Sequence, residues 1–450
     1  MGRGLRNGCA RAWNLRGCPP MPAQTRPQAR SHPLRSSGFR QATESLENKE
    51  FRKVFGSNMA FFLAMGGQSI VRPWLAFELT GDKLDLGIVS VAMAIPMLIL
   101  SPFGGVLADR MERRRLIVLA QGFAMASEAL ILGLILTGRL EFWHLVVTSG
   151  MMGCALPLIM PARSAIVVNI VGKTGLGPAM ALNMAGVNVT RVLGPAMAGF
   201  LIPVIQVDGV YMLNISLYGL GLLTMVTVAR MPPPHVAHPA SVMHNLLEGF
   251  RYVGTNRLVL MLLLFGLVPM FLAMPFQNLL VVFSEEVWNV GPQGLGILHA
   301  SSGVGAVLGS FWMAARAPDA GRQKMMMVSV MLFGTFLAIF CASPWFGPAV
   351  FLVFVANIFA STFSTLNNVA IQLVIPDSVR GRISSFLMMS VSVPLLGNLP
   401  VAAVAEEVGA PLAVGGAAVL AVFAALAFYL ASPELRNLDE HVRDATSLHA

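Results

Sequence analysis

The sequence predicts an all-α polytopic membrane protein, with twelve transmembrane helices in two pseudo-symmetric six-helix halves. Three observations lead there. Of the 450 residues 55% are hydrophobic and only 12% charged, with a mean hydropathy of +0.69, whereas soluble domains carry about 25% charged residues. Apolar runs of about 20 residues recur, the length of a helical span, and helices satisfy every backbone group internally in lipid. The two halves also repeat. Leu86-Gly87-Ile88 returns as Leu295-Gly296-Ile297 and Gly104 returns as Gly309, at offsets of 209 and 205.

Residues 1–50 carry eight arginines and no acid before Glu44, and no run there is apolar enough for a secretory signal peptide. They read as a disordered basic segment with three explanations open: a flexible cytoplasmic tail, an organellar transit peptide, or sequence ahead of a later start such as Met21 or Met59. Residues 1–53 hold eleven Lys or Arg against three Glu, which accounts for +8 of the net +9. The membrane part is thus nearly neutral and nucleic acid is not an expected partner. Cys9, Cys18, Cys154 and Cys341 show neither metal nor redox spacing, so no metal or cofactor is expected. There is no P-loop of the kind that drives a primary pump.

The spans are placed at 54–77, 85–108, 116–137, 143–162, 178–203, 209–229, 258–283, 294–315, 325–343, 346–373, 383–405 and 411–431. The first six form an N-terminal half (51–229) and the last six a C-terminal half (258–431), followed by a tail (432–450). Placing the N-terminus in the cytoplasm leaves fourteen Lys or Arg in the cytoplasmic loops and two, Lys83 and Arg139, in the opposite ones. Both termini are therefore expected inside. The central loop, 230–257, spaces Met243, Leu246, Leu247, Phe250 and Val253 as one helical face beside Glu248 and Arg251. An amphipathic helix results, which lies on the bilayer or binds a partner.

The stretch Gly104-Gly-Val-Leu-Ala-Asp-Arg-Met-Glu-Arg-Arg-Arg115 ends one span and precedes the next. Arg110, Arg113, Arg114 and Arg115 mark a cytoplasmic hinge, which is either a basic loop obeying the positive-inside rule or more than that. The pattern Gly105-x-x-x-Asp109-Arg110-x-x-Arg113-Arg114 resembles the loop between helices 2 and 3 of the major facilitator superfamily, with Glu112 where many members have glycine. Pro161-Ala-Arg163-Ser-Ala, Arg191-Val-Leu-Gly194-Pro195-Ala-Met-Ala-Gly199, Glu78-Leu-Thr-Gly and Pro376-Asp-Ser-Val-Arg-Gly-Arg382 are similar to the branch holding the enterobactin exporter and the macrolide efflux pumps.

The resemblance implies a secondary transporter that works by alternating access, with a substrate site at mid-membrane between the halves. It implies that Asp109 is a conformational latch, acting with Arg110, Arg113, Arg114 and a helix 4 partner, Arg163, against the start of helix 11. Relatives with a Gly-Pro pair at Gly194-Pro195 are mostly proton-driven exporters. A packing kink explains the proline equally directly. Gly199 completes that stretch, and Ala198 with Gly194 is expected to meet a Gly305-xxx-Gly309 groove in span 8. Thr190 departs from the glycine-rich pattern, which leaves obligatory antiport open.

Polar periodicity picks out the cavity candidates. Asn357, Ser361, Ser364, Asn368 and Gln372 fall three or four residues apart on span 10. They form a wet stripe, bordering substrate or gluing helices together. Gln68 joins them from span 1, and Gln277 and Asn278 from span 7. Arg72 is expected to snorkel to the outer surface. Arg191, about 20 Å into span 5, needs a carboxylate, backbone carbonyls or an anionic substrate. Glu128, about 18 Å into span 3, is a proton-carrier candidate; a structural hydrogen bond or a pair with Arg191 explains it as well. The reading is a bacterial inner-membrane protein acting as a monomer that exports an amphiphilic small molecule, drug-like or siderophore-like, against protons. An importer of a small metabolite, or a transport-inactive protein acting through a partner, are the alternatives; an enzyme is not expected.

Overall fold

The computed structural model describes residues 45–230, 242–316, 321–375 and 392–449, without the side chains of Asp109, Lys173, Thr174 and residues 242–246, 314–316 and 444–449. After a single 3-10 turn (Ser45–Glu47) the regular elements are helices: α1 (Lys49–Thr80), α2 (Lys83–Arg110), α3 (Arg113–Leu136), then a continuous run Phe142–Val226. That run leaves helical geometry at Gly172 and Gln206, which divides it into α4 (142–171), α5 (175–205) and α6 (207–226). The amphipathic segment is α7 (Val242–Thr255). Then follow α8 (Arg257–Ala273), α9 (Phe276–Val282), α10 (Gly291–Arg316), α11 (Arg322–Cys341) and α12 (Phe346–Val374). The chain ends with α13 (Val393–Leu396), α14 (Asn398–Val408), α15 (Ala410–Ala431), α16 (Pro433–Arg436) and α17 (Leu438–His449).

Ten stretches among the described residues are long and apolar enough to cross a membrane, and one of them, Gly175–Val226, holds two expected spans. They separate at Gln206, where φ is 60° and ψ 177°. The first part of the expected span at 383–405 lies outside the described residues. At Gly194-Pro195, where a bend was expected, the dihedrals stay helical, and within the run they leave helical values at Gly172 and Gln206.

Local chemistry sets the helix ends. Asn48 accepts the N–H groups of Glu50 (3.0 Å) and Phe51 (3.2 Å) at the start of α1, taking up donors that the helix leaves free. Gly81, with φ 68°, ends α1, and Asp82 caps α2 through the Leu84 N–H at 2.8 Å. At the basic hinge only Met111 and Glu112 separate α2 from α3. Arg114 donates to the Val226 carbonyl at the last residue of α6 (2.5 Å) and Arg113 to the Ala165 carbonyl in α4 (3.1 Å). Cations are favoured at a helix C-terminus, where carbonyls lack partners. Arg110 and Arg115 are exposed.

The sequence repeat is also a packing repeat. A Cβ at Gly104 would run into the Pro157 carbonyl of α4, and one at Gly309 into the Ile358 carbonyl of α12. In each half the second helix thus lies backbone to backbone on the fourth. Gly305 likewise faces the Phe354 carbonyl. This corrects the groove expected for Ala198, because Gly305 and Gly309 are occupied within their own half.

The Leu-Gly-Ile glycines join the halves. A Cβ at Gly87 would stand 2.8 Å from Leu399 Cα on α14, and one at Gly296 2.9 Å from Gly199 Cα on α5. Both contacts lie at the end of the molecule away from the basic loops. Around them Ile70, Val71 and Leu75 of α1 share a buried apolar layer with Phe276, Leu279 and Leu280 of α9. Lys83 adds an ion pair to Glu286 (3.1 Å), and its main-chain N–H donates to Glu406 (2.9 Å). This non-basic end is closed.

At the basic end α16 and α17 fold beneath the second half, burying Leu435, Leu438 and Val442 with Val259, Met326 and Ile375. Asp439 accepts the main-chain N–H groups of Gly321 and Arg322 at the start of α11. Glu434 pairs with Arg257 at 3.0 Å, and its own main-chain N–H together with the Ser432 hydroxyl holds its carboxyl below the usual range. In α7, Val253 is buried while Leu247 and Phe250 are exposed.

The glycine contacts generate a prediction. Gly296→Val or Gly87→Val should prise the non-basic ends apart, since overpacking costs about 1–3 kcal/mol and so shifts the balance of conformations about tenfold. Spin-label distances between the non-basic ends of α2 and α14 should lengthen in both variants, and unchanged distances would show that the glycines do not control this contact.

Candidate functional site

A cavity of about 670 Å³ lies at mid-depth between the two halves, within the roughly 300–1,000 Å³ of small-molecule sites. It is walled by α1, α2, α4 and α5 on one side and by α8 to α10, α12 and α13 on the other. A second cavity of about 410 Å³ lies among α8, α12, α13 and α14 and shares Met270, Met274, Gln277, Asn278, Ser364 and Leu395 with the first. The two therefore adjoin.

Most of the expected lining residues come together here. Gln68, Arg191, Gln277, Asn278, Asn357, Ser361 and Ser364 line the larger cavity, and Asn368 lines the smaller one. Gln372 lies on an exposed face beyond both linings. Asn278 donates to Ser90 Oγ across the halves (2.8 Å), and Asn357 to Ser302 Oγ on α10 (3.2 Å) and to the Val353 carbonyl (2.8 Å). The polar stripe of α12 thus borders the cavity and also bonds a neighbouring helix. His299 and Asn188 are lining residues that the sequence reading missed, although each has a polar lining neighbour three residues on, Ser302 and Arg191.

Behind the α1 wall sits a buried ion pair. Arg72 Nη2 donates to Glu128 Oε1 at 2.6 Å and Arg72 Nη1 to Ser149 Oγ at 3.1 Å. Gln68 Nε2 donates to the same carboxylate oxygen, and Tyr218 Oη to Gln68 Oε1 at 3.2 Å. Glu128 is 0% exposed and Arg72 6%. This corrects two expectations. Arg72 does not snorkel, because α1 continues to Thr80 and leaves it eight residues from the helix end, the same depth at which Glu128 stands before Leu136. Glu128 pairs with Arg72 and not with Arg191. The second carboxylate oxygen of Glu128 and the Tyr211 hydroxyl are buried without a hydrogen-bond partner among the described residues.

The network continues toward the basic end. The Tyr218 carbonyl accepts from Gln121 (2.9 Å), and Arg163 donates to Gln121 Oε1 and Asn58 Oδ1. Asn58 in turn donates to Asn183 (2.7 Å), and the Arg163 guanidinium lies 4.4 Å from the Phe61 ring centroid. Arg163 is 3% exposed. Its two terminal nitrogens are thus taken by amides inside its own half. The Asp109 side chain and the start of span 11, with which the latch was expected to work, lie outside the described residues. Among the described residues no group of His, Cys, Asp and Glu is placed to hold a metal ion.

The comparisons with known proteins agree with this geometry. The family model described as transmembrane secretion effector matches residues 41–449. The chain is 27% identical over 350 residues to the enterobactin exporter EntS of Shigella boydii serotype 18 (strain CDC 3083-94 / BS512), covering 74% of this chain and 80% of that one. It is 23% identical over 321 residues to the multidrug efflux pump Tap of Mycolicibacterium fortuitum, covering 69% and 78%. Among solved structures, the nucleoside transporter NupG superposes with a TM-score of 0.69 at 14% identity, covering 85% of this chain and 98% of that one. An inward-facing bacterial homologue of ferroportin gives 0.65 at 14%, covering 84% and 98%. At such identities the structural likeness shows the fold.

The ion pair predicts a double-mutant pattern. Arg72→Met or Glu128→Met alone should cost about 3–5 kcal/mol by stranding a buried charge, whereas the pair of substitutions together should recover most of it. Thermal unfolding in detergent measures this, and additive losses would mean that the two charges are not coupled.

Proposed function

We propose that this chain, which belongs to the transmembrane secretion effector family of the major facilitator superfamily, exports an amphiphilic small molecule by alternating access with protons as coupling ion. The observation that carries the reading is the mid-depth cavity between two related halves, closed by the glycine contacts at the non-basic end. The excess of Lys and Arg in the loops at the other end argues that this end is cytoplasmic. The closed contacts then correspond to a state that faces the cytoplasm. Export is the direction named for the enterobactin exporter and the multidrug efflux pump that the chain resembles. A bacterial cytoplasmic membrane is the corresponding location.

Glu128 is the proton carrier in this reading. It does not line the cavity, but Gln68 and Arg72 do, and both bond its carboxylate. Substrate or water reaching Arg72 would change how strongly the carboxylate is held, and so its readiness to take a proton. Asp109 is the latch of the basic face, loosening and re-forming as the halves rock.

Two measurements test these roles. In proteoliposomes with an imposed pH gradient, Glu128→Gln should lose uphill accumulation of a dye that wild type concentrates, while exchange without a gradient persists. The Arg72→Gln/Glu128→Gln variant, in which no cation is stranded, should behave alike; wild-type accumulation by either would remove Glu128 from coupling. Asp109→Asn should lower turnover about tenfold at unchanged expression, the size of one charge-assisted hydrogen bond lost. Unaltered turnover would mean that the basic face is held by other groups.

A further inference from the structure

The cavity holds a charge that the helix network does not neutralise. Three basic side chains line it, Arg72, Arg191 and His299. Arg72 is committed to Glu128, and His299 faces the main chain of Gln277. Arg191 has no hydrogen-bond or ion-pair partner among the described residues, and its side chain is exposed to the cavity. It stands about 24 Å from one end of α5 and about 21 Å from the other at 1.5 Å per residue, so it cannot reach either membrane surface. An uncompensated charge at such a depth is costly and marks a substrate or ion pathway.

The rest of the wall says what sign of substrate it suits. Among the described residues no Asp or Glu lines either cavity, and no Phe, Tyr or Trp lines the larger one, while Phe363 borders the smaller. Carboxylates and aromatic faces are the groups that hold organic cations, and among the described residues the larger cavity has neither. In their place stand Met65, Met93, Met152, Met270 and Met274, whose unbranched, polarisable side chains adapt to varied apolar shapes. The position also matters for movement. A Cβ at Gly303 of α10 would lie 3.3 Å from the Arg191 carbonyl, so Arg191 sits where the two halves cross.

We propose that Arg191 is the anchor for the charged group of an anionic amphiphile, whose apolar body rests on the methionine wall. The inference rests on the transporter reading and narrows it to one substrate class. An anion bound at this seam neutralises Arg191 in the state where the cavity is formed. Binding is thereby tied to the rocking of α5 against α10.

The test uses the full chain and two dyes, carboxyfluorescein as the anion and ethidium as the cation. Cells expressing wild type should expel carboxyfluorescein and not ethidium. Arg191→Gln should weaken carboxyfluorescein handling by about tenfold to a hundredfold, the loss expected when a charged hydrogen-bonding partner is removed. Arg191→Lys should keep part of it, and both variants should retain wild-type thermal stability. Preference of wild type for ethidium, or undiminished carboxyfluorescein export by a stable Arg191→Gln protein, would overturn the proposal. If wild type expels neither dye, fluorescence polarisation of carboxyfluorescein on the purified protein decides. Saturable binding that Arg191→Gln abolishes keeps the anion site while telling against export, and absence of binding to wild type overturns the anion site itself.

Discussion

The architecture depends on backbone lying directly on backbone at a few glycines. Lipid is as apolar as leucine, so helices in a membrane gain little by hiding apolar side chains from it, and close approach of main chains supplies the attraction instead. Gly104 and Gly309 lock the second helix of each half onto the fourth, while Gly87 and Gly296 bring the halves together at the non-basic end. The internal repeat therefore encodes two kinds of contact. One is permanent within a half, and the other lies where the halves must part if access alternates.

The halves are alike in framework and unlike in chemistry. The first links Glu128 and Arg72 through Gln68, Tyr218 and Gln121 to Arg163 in one buried network and leaves Arg191 facing the cavity. The second contributes amides, hydroxyls and one histidine to the cavity wall. Buried ion pairs offer little net stability, because desolvation consumes most of the attraction, but losing one partner is expensive. Such a pair just behind the cavity wall is sensitive to whatever occupies the cavity. In the proposed reading the first half holds both the coupling pair and the charged anchor of the substrate, and the second adds a wet, uncharged surface beside them.

Beyond the membrane helices, the C-terminal segment is built into the structure. Asp439 holds the start of α11, Glu434 meets Arg257 at the start of α8, and Leu435, Leu438 and Val442 close the apolar cluster beneath α8, α11 and α12. The arginines at the hinge between α2 and α3 serve the first half in a similar way, binding carbonyls of α4 and α6. Each half therefore has its helix ends at the basic face tied from below.

The helical membrane class, the spans that fall on described residues, the repeat and the family were legible in the sequence, because hydropathy, glycine spacing and loop motifs are properties of neighbouring residues. The wet stripe of α12 was legible for the same reason, since Asn357, Ser361 and Ser364 recur at helical spacing. What joins separate helices was not. The sequence left Glu128 without an assigned partner and sent Arg72 outward, since nothing local says that α1 and α3 set them at one depth and face to face. It matched Gly305 and Gly309 to the wrong helix, for a small residue advertises a close contact without naming the other side. Which charges are neutralised and which one, Arg191, is left facing the cavity follows from distances across helices, and only the tertiary structure decides those.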